Sequence, residues 1–263
     1  MCLILFATNC HPQYRLVLAS NRDEFYGRPT RPAAFWYDHK VILAGKDLKQ
    51  GGTWLGLTTT GRFSSLTNYR DPARFNSQAP SRGHLVYQYL SGAVSPENYI
   101  NSISSGVTEF NGFNLLMGST KGIYYYSNLE KVIRKVDSGI HGLSNSFLDV
   151  PWPKVSKGKK ALADCLQSQT INKEQLFAIM ADREQPEDHR LPQTGLSLEW
   201  ERIMSPAFVV SSSYGTKCST VVLVDHHDHV QYWERSFVQK DPSKWQDVFF
   251  EFDIEEQREN NPS

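Results

Sequence analysis

Cys2 would combine two reactive groups if Met1 were removed, because its thiol and the freed α-amine would then belong to one residue. An α-amine titrates at a pKa of about 7.7–8.0 and a thiol at about 8.5, so the amine can accept the thiol proton near neutral pH. Such a nucleophile carries its own base and needs no histidine. Position alone favours the plainer interpretation, in which Cys2 is a buried cysteine at the start of a strand.

A charged segment, Asn21-Arg22-Asp23-Glu24, follows the second apolar run of the chain. The runs Cys2–Thr8 and Tyr14–Ser20 are predicted to form two strands joined by a turn. In such a hairpin the end of the second strand lies beside the start of the first, so Asp23 would lie close to Cys2. A carboxylate there can orient an α-ammonium or a thiol, whereas the same cluster in an isolated loop is usually a solvated patch of ion pairs.

The remaining pattern predicts strands toward both ends of the chain and helices between them. Further strands are predicted at 54–59, 62–67, 113–118, 123–126, 208–211, 219–224, 230–235 and 248–252. Helices are predicted at 84–90, 99–103, 155–166 and 173–181. Residues 21–32 and 182–197 are predicted to be loops, the first because Pro29 and Pro32 oppose regular structure. Since βαβ alternation is absent, the pattern favours an α+β fold of two packed sheets with helices outside.

Composition excludes several classes of protein. The 28 Lys and Arg residues balance 28 Asp and Glu, so no global field attracts nucleic acid or anionic lipid. The 4 cysteines form no C-x-x-C pair, which argues against a zinc knuckle, a dithiol redox site and a disulfide scaffold. No run approaches the about 18 apolar residues of a membrane span, and the N-terminus lacks the features of a secretory signal. We therefore expect a cytoplasmic protein, with a mitochondrial or other internal compartment as the alternative.

The chain is expected to form one domain over residues 1–254, followed by a polar tail over 255–263, since no linker or repeat interrupts it. The segment Asp225-His226-His227-Asp228-His229 is the other conspicuous polar cluster. Its residue types invite a zinc site. Adjacent residues point in different directions and no distant ligand set is evident, so we interpret it as a polar hairpin turn without metal.

Ordered motifs along the chain identify a family resemblance. From Cys2 to about Phe252 the sequence resembles the NRDE family, also called the transport-and-Golgi-organisation 2 family. The motifs are Cys2, Asn21-Arg22-Asp23-Glu24, Gly51-Gly52-Thr53-Trp54-Leu55-Gly56, Leu66-Thr67-Asn68-Tyr69, Asn111-Gly112-Phe113-Asn114-Leu115, Gly142-Leu143-Ser144-Asn145, Pro151-Trp152-Pro153-Lys154 and Tyr214-Gly215-Thr216. The family more distantly resembles the cysteine N-terminal-nucleophile (Ntn) hydrolases, which include penicillin V acylase, bile-salt hydrolase and acid ceramidase.

The resemblance implies a fold and a set of catalytic residues. The implied fold is a four-layer αββα sandwich of the Ntn-hydrolase type. Cys2 corresponds to the nucleophile and Asp23 to the carboxylate that orients it. Asn68 and Asn145 match the two asparagines that serve as oxyanion or orientation donors, a role that an amide in a dry site can fill.

Four further residues are implied to contact substrate: Asn21, Arg22, Trp54 and Lys217. Two positions depart from the usual patterns. The hydrolases usually carry an arginine where this chain has Ser20, and the NRDE family usually carries an arginine where it has Lys217. A lysine keeps the charge but loses the planar two-pronged geometry, so we expect a looser grip on an anion.

Two functions follow from the resemblance. The first is that of an enzyme that hydrolyses or transfers the acyl group of a small molecule, either an amide or an acyl thioester. The alternative is a non-catalytic carrier in haem trafficking or in lipid and acyl-coenzyme A homeostasis. Neither function requires a resident cofactor, and haem would be a transported ligand. No Cys-x-x-Cys-His haem-attachment motif is present.

Overall fold

The computed structural model describes residues 2–104, 106–238 and 241–255. Met1 and residues 256–263, which make up most of the predicted tail, lie outside the described residues. The strands are β1 Cys2–Thr8, β2 Tyr14–Phe25, β3 Thr30–Trp36, β4 His39–Asp47, β5 Leu55–Thr58, β6 Arg62–Asn68, β7 Phe113–Ser119, β8 Gly122–Ser127, β9 Ile133–Lys135, β10 Gly139–Leu143, β11 Tyr214–Asp225, β12 His229–Val238 and β13 Asp241–Asp253. The α-helices are α1 Gly83–Ser91, α2 Pro96–Ile103, α3 Pro153–Cys165, α4 Lys173–Met180 and α5 Leu198–Ile203.

The strands form two antiparallel sheets. The first sheet has six strands in the order β10-β1-β2-β11-β12-β13, so the predicted β1–β2 hairpin lies near its centre. The second sheet has seven strands in the order β3-β4-β5-β6-β7-β8-β9, and nearly all of its neighbours are sequential hairpins. The β2–β11 pairing joins residues about two hundred positions apart, and it is the connection that builds the site described below.

Alternation along each strand divides the core into three layers. Side chains such as Ile4, Phe6 and Leu18 point between the two sheets and meet Leu57 and Phe63 of the second sheet. The opposite face of the first sheet packs against α3 and α4. The outer face of the second sheet packs against α1 and α2. This arrangement confirms the α+β class and the predicted four-layer αββα sandwich.

Two local predictions were wrong. Residues 21–32 were predicted to form a loop, but β2 continues to Phe25 and β3 begins at Thr30. The polar residues remain in the strand because β11 pairs with them from Tyr214 to Cys218 and because their side chains find buried partners. Pro32 is tolerated because β3 is an edge strand with an irregular register.

The segment 208–211 was predicted to be a strand but forms only an isolated bridge between Val210 and Gly215. Its main chain is held instead by single hydrogen bonds, including one from the amide of Phe208 to the carbonyl oxygen of Asp182. The predicted loop at 182–197 contains only a short 3-10 turn, and α5 follows it. Among the described residues, no helix has both the length and the apolar character needed to cross a membrane.

Candidate active site

The register of β1, β2 and β11 brings Cys2 and Asp23 together at one end of the first sheet. Cys2 pairs with Arg22, so Asp23 lies one step further along β2. On the other side of β2, Thr216 pairs with Asp23. The hairpin inferred from the two apolar runs is therefore present, and it places the carboxylate beside the residue that it was expected to orient.

Asp23 is buried, with 2% of its surface exposed, and neighbouring hydroxyl groups donate hydrogen bonds to it. The hydroxyl of Thr216 donates to its Oδ1 at 2.7 Å, and the hydroxyl of Tyr214 donates to its carbonyl oxygen at 2.8 Å. The amide of Val209 donates to the Thr216 hydroxyl, which therefore points its own proton at the carboxylate. Burial raises the pKa of Asp23, and the charge of Lys154 and the Thr216 hydrogen bond act against this rise.

Cys2 lies at the bottom of a cleft of about 280 Å³, which we call the Cys2 cleft. Its thiol is almost fully buried, and desolvation raises its pKa. A buried neutral thiol is a poor nucleophile, so activation requires a base close to the sulfur. The cleft is also lined by Arg22, Asp23, Trp54 and Asn68, among other residues.

Trp54 and Arg22 form one wall of the Cys2 cleft. The guanidinium carbon of Arg22 lies 4.3 Å from the centre of the Trp54 indole, and its Nη1 donates to Thr30 Oγ1 at 3.1 Å. The indole lies flat over Gly45, where an added Cβ would stand 2.3 Å from the ring. Gly52 likewise touches the main chain of Gly83, which would be 2.5 Å from a Cβ. The glycines of the Gly-Gly-Thr-Trp motif thus let this wall approach the start of α1.

The two predicted asparagines have different positions. Asn68 ends β6 and is among the residues that line the Cys2 cleft. Asn145 is fully buried and donates from Nδ2 to the main-chain carbonyl of Asn68 at 2.9 Å. The carbonyl of Asn145 accepts from the amide of Arg70 at 2.8 Å. Asn145 therefore holds the segment that carries Asn68, which is the geometry of an orienting residue.

The other two predicted contacts lie away from the cleft. Asn21 is fully buried on the helix-facing side of β2. Its Nδ2 donates to the carbonyls of Met180 and Ala207 at 2.7 and 2.9 Å, and its Oδ1 accepts from Ser219 at 2.5 Å. Lys217 lines a separate cavity between the sheets. Neither residue is among those that line the Cys2 cleft.

Sequence reasoning missed a buried ion pair next to the site. Arg70 donates from Nη1 to Glu201 Oε2 at 2.6 Å, and its guanidinium lies 4.8 Å from the centre of the Trp152 ring. Lys154 is buried nearby, donates to the carbonyl of Met204 at 3.0 Å, and has its pKa lowered to about 8 chiefly by desolvation. Arg70 follows the Asn68 motif directly, so its proximity in sequence was the available signal. No motif pointed to Glu201, which lies on the short helix α5.

A larger pocket of about 780 Å³ adjoins the Cys2 cleft, and we call it the aromatic pocket. Asn68, Phe75 and Arg82 line both spaces. Phe75 is 65% exposed and Trp200, on the far side, is 38% exposed, so apolar surface faces solvent at this pocket. Its other aromatic and basic lining residues include Phe25, Tyr69, Arg70, Arg74, Phe110, Lys131 and Tyr214. The combined space offers apolar surface and positive charge within reach of Cys2.

The histidine cluster lies at the opposite end of the first sheet, in the turn between β11 and β12. Oδ1 of Asp225 accepts hydrogen bonds from the main-chain amides of His227 and His229. Nδ1 of His229 lies 2.7 Å from a carboxylate oxygen of Asp253. Within residues 2–104, 106–238 and 241–255, no group of three or more His, Cys, Asp or Glu side chains is arranged to hold a metal ion.

Known proteins with similar sequences cover nearly the whole chain. The sequence matches the model of the family described as "Transport and Golgi organisation 2" over residues 1–239. The Transport and Golgi organization protein 2 homolog of Homo sapiens is 37% identical over 276 residues, which cover 97% of this chain and 100% of the human protein. Transport and Golgi organization protein 2 of Drosophila melanogaster is 28% identical over 289 residues, covering 97% and 99%.

Solved structures with a similar fold include the conjugated bile acid hydrolase of Clostridium perfringens. One mutant of it superposes with a TM-score of 0.52 at 8% sequence identity, covering 97% of this chain and 92% of that chain. A second variant gives 0.50 at 8% identity, covering 99% and 100%. At such low identity the similarity concerns the fold, which is the four-layer sandwich of the Ntn hydrolases.

Proposed function

Because the chain belongs to the Transport and Golgi organisation 2 family and has the fold of the Ntn hydrolases, we propose that it acts on an acylated small molecule. The reaction is hydrolysis or transfer of an acyl group held as an amide or a thioester, with Cys2 as the nucleophile. The conjugated bile acid hydrolases that share the fold are named for hydrolysis of a conjugate. The observation that carries the proposal is the placement of Cys2 in a cleft beside the buried, hydrogen-bonded Asp23.

The proposed chemistry needs the α-amine of Cys2, so it requires removal of Met1, which lies outside the described residues. The amine takes the thiol proton, and the sulfur then attacks the substrate carbonyl to form a tetrahedral oxyanion. The proton passes to the leaving amine or thiol as its bond to the acyl carbon breaks. Water or another acceptor then attacks the thioester at Cys2, releasing the acyl group and returning the proton to the enzyme. A free cysteine nucleophile suits the reducing cytoplasm, which we propose as the compartment.

The surrounding residues have distinct roles in this proposal. Asp23 orients the α-ammonium, since it follows the residue that pairs with Cys2 and lines the same cleft. Asn68 supplies an amide donor for the oxyanion, and Asn145 fixes the main chain that carries Asn68. Arg22 and Trp54 shape the wall against which the substrate lies. Asn21 acts indirectly, because its amide is occupied in anchoring β2.

The adjoining aromatic pocket favours a bulky acyl group over a short one. Its volume of about 780 Å³ lies within the range of pockets that bind large organic ligands. The same pocket supports the second candidate, a carrier that holds a large apolar and anionic ligand without turnover. Haem, a lipid or acyl-coenzyme A would then be cargo.

The test compares acyl cleavage and thiol reactivity in one set of variants. We expect native protein to lack Met1 and to cleave a long-chain fluorogenic acyl amide or thioester, with Cys2→Ser inactive and Cys10→Ser unaffected. A limiting dose of iodoacetamide should label Cys2 first. Exposure alone predicts the opposite order, because Cys10 is exposed whereas Cys2 is buried. Intact-mass and peptide mass spectrometry measure both processing and labelling.

A variant with an uncleavable N-terminal extension provides the matched control, because it keeps every side chain but lacks the free amine. It should remain folded and lose the selective labelling of Cys2. Retention of Met1 in native protein, or labelling of Cys10 before Cys2, would show that Cys2 is not an N-terminal nucleophile. Ligand binding in the aromatic pocket without cleavage would then favour the carrier.

A further inference from the structure

The cavity that Lys217 lines between the two sheets has a volume of about 390 Å³, and we call it the bulge cavity. Its polar groups come from Lys217 and Cys218 on β11 and from Glu234 and Ser236 on β12. Apolar lining is supplied by Pro29, Pro32, Leu48 and Phe237. The space is therefore a pocket with apolar walls and a few convergent polar groups, within the size range of small-molecule sites.

Glu234 lines this cavity and is 1% exposed. Its Oε1 accepts from the amide of Ala33 at 2.8 Å, whereas its Oε2 has no hydrogen-bond partner among the described residues. Burial raises the pKa of Glu234 to about 7, although the Ala33 amide and the charge of Arg22 act against this rise. A buried carboxyl of this kind gains from a ligand that donates a charged hydrogen bond.

Lys217 contributes a positive charge to the same cavity. Its ammonium donates to the main-chain carbonyls of Arg28 at 2.5 Å and of Tyr26 at 3.3 Å, but among the described side chains it has no ion-pair partner. The other charges around the cavity are already paired. Arg28 lies 2.5 Å from Asp47, and Arg22 lies 3.8 Å from Glu24. One cation and one carboxyl are thus left in one cavity without contacting each other.

A β-bulge brings Lys217 into this position. Thr216 pairs with Asp23 and Cys218 pairs with the next residue, Arg22, so Lys217 is an extra residue in β11. Regular alternation would place neighbouring side chains on opposite faces of the sheet, but Lys217 and Cys218 line the same cavity. Bulges commonly redirect a side chain in this way next to functional sites.

We propose that the bulge cavity binds a small amphoteric molecule of the α-amino-acid class, with its ammonium on Glu234 and its carboxylate on Lys217. The apolar walls favour an amino acid with an apolar side chain. This site is separate from the Cys2 cleft and does not depend on the function proposed for Cys2.

The test is isothermal titration of the full chain with L-leucine, L-methionine and L-phenylalanine. Two analogues of leucine serve as matched ligands: 3-methylbutan-1-amine lacks the carboxylate, and 4-methylpentanoate lacks the ammonium. We expect at least one amino acid to bind at one site per chain, and both analogues of leucine to bind about tenfold more weakly than leucine or not at all.

Variants assign that binding to the two charges. Glu234→Gln and Lys217→Met should each weaken binding by about tenfold or more, and Lys121→Met, at an exposed position, should leave it unchanged. Thermal melting checks that each variant is folded, and Lys217→Met decides alone if Glu234→Gln is not. The proposal is overturned if no amino acid binds, if 3-methylbutan-1-amine binds as tightly as leucine, or if Lys217→Met binds like the wild type.

Discussion

The two ends of β11 each carry a cluster of polar residues, and the clusters are stabilised in different ways. At the Tyr214 end, Asn21, Asp23 and Thr216 are buried; Asn21 donates to the distant carbonyl of Met180, and Thr216 donates to Asp23. At the other end, the histidine turn is more exposed: Asp225 accepts from amides within the turn, and Arg15 donates to the carbonyls of Asp225 and His226. Both clusters have partners that are distant in sequence, but only the first cluster is buried away from water.

This difference separates a cluster that can support chemistry from one that forms a turn. Buried polar groups are costly unless every partner is in place, so the cluster near Cys2 depends on several interactions at once. Exposed turn residues have water as an alternative partner. Mutations should therefore have large effects at the Tyr214 end of the strand and small effects at the Asp225 end.

The largest effect is expected from the ion pair behind the site. Glu201→Gln leaves the buried guanidinium of Arg70 without its charge partner and should lower the free energy of unfolding by about 3 kcal/mol. Glu184→Gln is the matched control, because it removes an exposed partner of Lys157 and should cost less than about 1 kcal/mol. Urea denaturation measures both. Equal losses would contradict the importance of burial at this end.

Asn21→Ala should have the next largest effect. It removes three hydrogen bonds and leaves the carbonyls of Met180 and Ala207 without the donor that now satisfies them. We expect a loss of about 2–3 kcal/mol in the free energy of unfolding. A midpoint of urea denaturation equal to that of the wild type would show that Asn21 does not anchor β2.

Asp23→Asn should change reactivity more than stability. The amide keeps the size of the side chain and can still accept from Thr216, but it loses the charge that we propose orients the N-terminus. We expect the variant to stay folded and its Cys2 to react with iodoacetamide at least about tenfold more slowly, because loss of the proposed orientation of the α-amine outweighs removal of a negative charge that raises the thiol pKa. Wild-type labelling kinetics in this variant would remove Asp23 from the proposed site.

The smallest effect is expected at the histidine turn. Replacement of His226, His227 and His229 by Asn leaves Asp225 and its main-chain partners in place, so stability should change by less than about 0.5 kcal/mol. Activity should also be unchanged. Stoichiometric zinc in wild-type protein that disappears in the triple variant would reverse the comparison and make this turn a metal site.

Sequence reasoning was most successful where the signal was local. The apolar runs located β1 and the first part of β2, and turn residues located the β5–β6 and β7–β8 hairpins. It failed for Asn21 to Phe25, which read as a polar loop because their partners on β11 lie about two hundred residues away. A separation of 131 residues likewise hid Glu201 as the partner of Arg70. Strand propensity describes the isolated segment, whereas these residues are ordered by tertiary contacts.

The family resemblance predicted the fold and named the candidate site residues. It did not predict where each of these residues lies relative to the Cys2 cleft. Cys2, Arg22, Asp23, Trp54 and Asn68 line one cleft. Asn145 lies behind it, and Asn21 and Lys217 lie elsewhere. A motif records which residues occur together in sequence, and the direction of each side chain depends on strand alternation and on the bulge in β11.

The extra residue in β11 makes Lys217 separable from the rest of the strand. Thr216 pairs with Asp23, and Cys218 pairs with Arg22. The side chains of Thr216 and Cys218 therefore already lie on opposite faces of the sheet. Deleting Lys217 would therefore leave a regular ladder in which both neighbours keep their present faces. The chain can gain or lose this cation without disturbing the residue that holds Asp23. Evolution or design could thus change the charge of the inner cavity independently of the chemistry at Cys2.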